Sequence, residues 1–220
     1  MKQIFPGIYS INNKLATVNS TPGLKIFGEF LITVEGKEFR QWDPNRSKAG
    51  AAIVKGIKEF PIKEGSVILY LGIAHGFTAS YLSDIIGSTG MLYGVEFSDR
   101  CFNDLLPVVE KRSNILPILA DARMIEDYKN TVIEKVDVVY CDIAQRDQTE
   151  IAIRNCKEFL KPKGYLMLAI KTQSIDVTRS SKEVVKEEIE KVVQAGFKII
   201  DWKMLEPFED KHGFVLAKMG

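Results

Sequence analysis

A five-residue loop after an apolar run, Gly72-Ile73-Ala74-His75-Gly76, and three acids beyond it, Glu96, Asp121 and Asp142, have the types and spacing to do chemistry. Glycines let the backbone turn sharply and let a ligand approach with no Cβ in the way. Glu96 lies about twenty residues past the loop, the distance at which open α/β folds set an acid against ribose hydroxyls. On that reading Asp121 meets an adenine amino group and Asp142 faces the reacting end of the same ligand. Singly, each acid also reads as a helix cap or a solvated loop charge; their succession at strand ends argues for one binding edge.

The elements that must position these groups are legible from residue 67 onward, where short β-branched runs alternate with helical patterns. The strands are "VILYLG", "MLYGVEF", "ILPILAD", "VDVVYCD" and "YLMLAIK", most of them apolar almost throughout, as strands buried on both faces are. The helix in "SSKEVVKEEIEKVVQAG" repeats Val185, Ile189, Val192 and Val193 at helical spacing and closes at Gly196, which marks a core-facing stripe. Two last strands, "FKIIDWKML" and "GFVLAKM", flank "EPFEDKHG", too short for a crossover helix, so they pair antiparallel.

A parallel sheet ending in an antiparallel hairpin is the arrangement of S-adenosylmethionine-dependent methyltransferases. The fold class expected is therefore α/β and Rossmann-like, with that domain over residues 46–220. Residues 1–45 carry short alternating runs broken by glycine and proline, and are expected to form a small β-rich extension. A nicotinamide dinucleotide is the chief rival ligand, but its pyrophosphate wants G-x-G-x-x-G and this loop lacks the first close glycine pair.

Composition bounds the rest. With 220 residues, 45% hydrophobic and 27% charged, the chain is long enough and balanced enough for one well-buried core. A formal net charge of +1 provides no global positive field to hold a nucleic acid, so an RNA substrate needs help from partners. Cys101, Cys141 and Cys156 are scattered and lack paired metal-ligand spacing, which suits reduced thiols and no metal site. The opening "MKQIFPGIYS" is not a signal peptide and no run of some twenty apolar residues follows, so a cytoplasmic protein with no membrane span is expected.

The chain resembles the fibrillarins, which methylate the 2′-hydroxyl of RNA ribose in box C/D ribonucleoproteins. The likeness runs through "FPGIYS", "LATVN", "WDPNRSKAGAAI", "VILYLGIAHGFTASYLSDIIG", "LYGVEFSDR", "NILPILADAR", "VDVVYCDIAQRDQT", "AIKTQSIDVT" and "LEPFEDKH". It lacks the glycine-rich tail of eukaryotic members and so resembles archaeal ones, which act on rRNA and tRNA. The resemblance implies S-adenosylmethionine as cofactor, a Nop-family scaffold protein, a kink-turn-binding ribosomal-type protein, and a guide RNA that selects the target RNA. It also implies a reacting centre of Lys48, Asp142, Lys171 and His212, and cofactor contacts from Gly72, Ala74, His75, Gly76, Thr78, Glu96, Phe97, Asp121, Ala122, Asp142 and Gln145.

In those terms Lys171 steers or accepts the hydroxyl proton, Asp142 orients the lysine and faces the sulfonium, Lys48 steadies a developing oxyanion or a phosphate, and His212 orients the ribose or relays the proton. The chain departs from the family at the loop, where serine is usual at the position of His75 and threonine at that of Phe77. His75 either donates to the cofactor's carboxylate, points to solvent or a neighbouring helix, or obstructs the pocket. Two rivals to the RNA reading are a protein or small-molecule acceptor and a non-catalytic assembly subunit.

Overall fold

The computed structural model describes residues 1–220. Strands β1 (Lys2–Phe5), β2 (Ile8–Ile11), β3 (Lys14–Val18), β4 (Leu31–Val34) and β5 (Lys37–Gln41) form an antiparallel sheet in the order β1-β2-β3-β5-β4. The run from Leu24 to Trp42 therefore holds a hairpin, turned at Glu35 and Gly36 with φ of 50° and 76°, the paired left-handed conformation of tight hairpin turns. Strand β1 had no distinct signal in the sequence.

Helix α1 (Lys48–Val54) leads into the second sheet, which alternates β6 (Val67–Leu71), α2 (Phe77–Ile86), β7 (Met91–Glu96), α3 (Asp99–Val109), β8 (Ile115–Leu119), β9 (Val136–Cys141), α4 (Gln148–Phe159) and β10 (Leu160–Lys171). The chain ends with α5 (Thr172–Ile175), α6 (Ser181–Gln194), β11 (Phe197–Met204) and β12 (His212–Met219). The sheet order is β11-β12-β10-β9-β6-β7-β8, parallel from β10 to β8, with β12 inserted antiparallel between β10 and β11. The expected terminal hairpin is thus present.

Alternation along the strands builds two cores. Ile68 and Tyr70 face one side and join residues of α1, α2 and α3, whereas Leu69 and Leu71 face the other and join α4 and α6. The α6 stripe is as read: Val185 and Val192 are buried, Ile189 packs against that core, and Val193 lies at the exposed margin. The first core also takes in Ile8, Leu15 and Trp42, so the small sheet shares hydrophobic burial with the larger one. Trp42 stacks on Tyr81 of α2 with centroids 5.0 Å apart.

Charge fastens the same seam. Asp84, on α2 with its side chain fully buried, accepts from Thr17 Oγ1 (2.8 Å), Ser20 Oγ (2.7 Å), Arg40 (3.2 Å) and Arg112 (2.7 Å). Arg40 also meets Glu29 at 2.8 Å and lies over the Tyr81 ring. The three cysteines are free thiols, and burial pushes Cys141 up to about 12, so it is inert. No helix is long and apolar enough to cross a membrane, and no cluster of His, Cys, Asp and Glu could hold a metal ion.

Candidate active site

Strand β6 has neighbours β7 and β9 on its two sides, and this reversal of strand order opens a crevice at the carboxyl ends. A cleft of 380 Å³ sits there, within the range of small-molecule sites. It is lined by Gly72, Ala74, Glu96, Phe97, Asp121, Ala122, Asp142 and Gln145 among the expected cofactor residues, and by Lys171. Val95, Ala120 and Ile151 add an apolar floor, and the ring of Phe97 is 67% exposed at its edge.

Glu96 ends β7 and is buried, with Oε2 accepting from the Ala74 amide and Oε1 from the Ser98 amide, each at 2.9 Å. Three more amides of the loop are engaged: Gly72 and Ile73 donate to the Val95 carbonyl of β7 and Gly76 to that of Ile73. A carboxylate beside this loop suits ribose hydroxyls, and it is the missing first glycine pair that argues against a nicotinamide pyrophosphate. Gly72 is needed here, since its φ is +77° and an added Cβ would lie 2.8 Å from the Asp142 carbonyl oxygen. That oxygen holds Lys171 Nζ at 2.8 Å. Gly72→Ala is expected to keep the fold and lower the catalytic rate about a hundredfold by displacing Lys171, as measured by single-turnover kinetics beside a thermal melt.

Three expected cofactor residues stand outside the cleft. His75 is exposed and its Nδ1 lies 3.4 Å from Asp104 on α3, because the left-handed Ala74 (φ 50°) turns the next side chain outward. Gly76 packs under α3, with Leu105 at 2.6 Å from where a Cβ would stand. Thr78 donates to Ser47 Oγ at 3.0 Å, and Ser47 in turn caps α1, so Thr78 bears on the placement of Lys48. The His75 ring neither obstructs the cleft nor reaches into it. His75→Ser is expected to change S-adenosylmethionine affinity less than about threefold, the loss of one exposed ion pair, as calorimetric titration would measure.

Asp121 lines the cleft, but both its oxygens are engaged by the Arg123 guanidinium at 2.6–3.1 Å. Those hydrogen bonds hold its carboxyl below the usual range, and an adenine amino group must share it with Arg123.

The reacting end is built from four distant segments. Lys48, at the start of α1, lies 3.3 Å from both Asp142 oxygens. Lys171, the last residue of β10, lies 3.0 Å from Asp142 Oδ1 in addition to its bond to the Asp142 carbonyl. His212, the first residue of β12, pairs across the ladder with Lys171, and its Nδ1 is 2.6 Å from the Asp210 carbonyl oxygen. Nδ1 therefore carries the donated hydrogen and leaves Nε2 free. Lys48, Asp142 and Lys171 are in direct contact, and His212 joins them through Glu209, which is within 3.9 Å of both Lys48 and His212.

Sequence reasoning missed two groups. Gln148, fully buried at the start of α4, accepts from the Lys171 amide (3.0 Å) and donates to its carbonyl (3.4 Å), which fixes the strand end carrying that lysine. Glu209 is the other. Both lie within quoted motifs, "VDVVYCDIAQRDQT" and "LEPFEDKH", so position in a motif was the available signal.

A Rossmann-like sheet closed by an inserted antiparallel strand, with a carboxylate-lined cleft at its switch point, defines the S-adenosylmethionine-dependent methyltransferase fold. The fibrillarin family model matches residues 1–220. A fibrillarin-like rRNA/tRNA 2′-O-methyltransferase of Thermococcus onnurineus is 49% identical over 99% of this chain and 98% of its own length. The crystal structure of Aeropyrum pernix fibrillarin with natively bound S-adenosyl-L-methionine has a TM-score of 0.89 at 46% identity, covering 97% of this chain and 94% of that one. A crystal structure of a fibrillarin/Nop5p complex matches with a TM-score of 0.89 at 36% identity over 100% of both chains. The chain belongs to the fibrillarin family.

Proposed function

We propose that this chain is the S-adenosylmethionine-dependent RNA ribose 2′-O-methyltransferase of a guide-directed ribonucleoprotein, acting on rRNA and tRNA. The observation that carries the reading is the convergence of Lys48 and Lys171 on Asp142 at the mouth of a cleft suited to an adenosine ligand. The names of the relatives, a 2′-O-methyltransferase, a fibrillarin with bound S-adenosylmethionine and a fibrillarin/Nop5p complex, support it.

The cleft fits the cofactor. Buried Glu96 offers its carboxylate to ribose hydroxyls, Phe97 an apolar face to the base, and the Gly72 turn a close backbone approach. When bound, S-adenosylmethionine supplies an electrophilic methyl group on a sulfonium. The chain's own residues align the acceptor and handle its proton. Asp142 holds both lysines and gives the cationic ligand a counter-charge. Lys171 Nζ, pinned by two Asp142 oxygens, steers the 2′-hydroxyl as an ammonium, or takes its proton after first giving up one of its own to solvent; Lys48 steadies the developing oxyanion or a neighbouring phosphate. His212 orients the ribose through its free Nε2.

We read residues 1–45 as the β-rich extension and residues 46–220 as the methyltransferase domain. The nearly neutral chain relies on a Nop-family scaffold, a kink-turn-binding protein and guide RNA to bring it target RNA, and works in the cytoplasm. Two measurements test this. Calorimetric titration should give saturable binding of S-adenosylmethionine and none of NAD. Transfer of labelled methyl to target RNA should then require both guide and scaffold; transfer to protein or small molecules in their absence would instead support the rival acceptor.

A further inference from the structure

We propose that Glu209 is a positioning residue of the reacting centre, holding Lys48 in place and coupling it to His212; this deepens the proposed function and rests on it. Glu209 lies in the loop between β11 and β12. Its Oε1 is 3.9 Å from Lys48 Nζ and its Oε2 is 3.9 Å from His212 Nδ1. Its carboxylate makes no hydrogen bond to the loop that carries it, whose turn is closed instead by backbone bonds to Leu205 and by Glu206 accepting from the Lys211 amide. The fold therefore makes no evident use of this side chain, although it is only 22% exposed.

The reacting centre does have a use for it. Two ammonium groups converge on the single carboxylate of Asp142. Lys171 is held there a second time by the Asp142 carbonyl, whereas Lys48 has no such backbone tether and has Glu209 within 3.9 Å instead. Two carboxylates thus match two lysines, and Lys48, 3.3 Å from both Asp142 oxygens, has Glu209 as its second carboxylate partner at 3.9 Å. At these short distances in a half-buried site, opposite charges fix side-chain position. The same carboxylate lies 3.9 Å from His212 Nδ1, whose hydrogen is given to the Asp210 carbonyl, so the loop that orients the imidazole also places a negative charge beside both Lys48 and His212.

The test uses the full chain in the reconstituted guided complex. Glu209→Gln keeps size and removes charge, and is expected to lower kcat about tenfold to hundredfold with the KM for S-adenosylmethionine and the melting temperature unchanged. A double-mutant cycle supplies the readout that a merely structural role would not move. If Glu209 acts through Lys48, the loss in Lys48→Ala/Glu209→Gln is far smaller than the product of the two single losses. An unchanged kcat in Glu209→Gln, losses that multiply fully, or a loss traced to a lower melting temperature or weaker cofactor binding would each overturn the proposal. Failure of the wild-type complex to methylate RNA would overturn the functional reading itself, so the two failures are distinguishable.

Discussion

Asp142→Asn is expected to lower the rate of methyl transfer about a thousandfold, close to 4 kcal/mol of transition-state stabilisation, while the protein stays folded. Asp142 is the one group that touches both lysines, with Lys48 at 3.3 Å and Lys171 at 3.0 Å. An amide in its place keeps the shape but removes the counter-charge, so two ammonium groups repel each other, and a sulfonium in the cleft would add to that repulsion. Lys171 keeps its bond to the backbone carbonyl and at most a neutral bond to the amide oxygen, and Lys48 is drawn toward Glu209. Single-turnover kinetics in the guided complex should show the loss mainly in the chemical step, with a smaller weakening of cofactor binding. A rate within about tenfold of wild type would mean that alignment by partners dominates and the carboxylate is dispensable.

The second large effect is on stability. Asp84→Ala is expected to destabilise the chain by about 3–5 kcal/mol, because two buried guanidinium groups lose their shared counter-ion. Arg40 and Arg112 are both buried and both contact this carboxylate, and neither can lose its charge. Arg40 keeps Glu29, but Arg112 is left without any carboxylate partner. For a domain of this size, that energy lowers the melting temperature by roughly 6–20 °C, read by calorimetric or circular-dichroism melting. Asp84→Asn should be milder, since its side-chain oxygen can still accept from Arg112 or Ser20. The damage is local to the seam between the small sheet and α2, so protection of β1–β5 amides against hydrogen exchange should fall first.

Asp84 also shows where the sequence ceases to be legible. Arg40 and Arg112 carry no signal of burial in the sequence, and nothing in their neighbourhood says that residues 44 and 28 positions from Asp84 close on it. Long-range polar networks leave no periodic trace, unlike strands and helices. The second sheet was readable because its parallel strands are largely apolar and its helices keep a 3.6-residue stripe, and the hairpin because the eight residues "EPFEDKHG" cannot hold a crossover. The first sheet was legible only as β-rich, since its five short strands carry mixed patterns and its register is set by turns and by packing on α2.

The same contrast holds within the site. The acids at strand ends were found by position alone, because a parallel sheet must deliver its loops to one edge. Which of them a neighbour occupies was not, and Asp121 is claimed by Arg123 two residues on. Of the alternatives open for His75, the structure has its ring beside Asp104 on α3, following the left-handed Ala74, and outside the lining of the cleft. Lys48 and His212 came from resemblance, not from spacing, since they lie on separate elements that only the fold brings beside Asp142. Glu209, which links them, had no signal beyond its motif.

The central claim is that the acceptor at this centre is a ribose 2′-hydroxyl. The most direct measurement is transfer of labelled methyl from S-adenosylmethionine in the guided complex to two target RNAs that differ only in a 2′-deoxy substitution at the guide-selected nucleotide. Label is expected on the ribose of the first RNA and none on the second. Equal labelling of both, or label recovered on a base, would contradict the account.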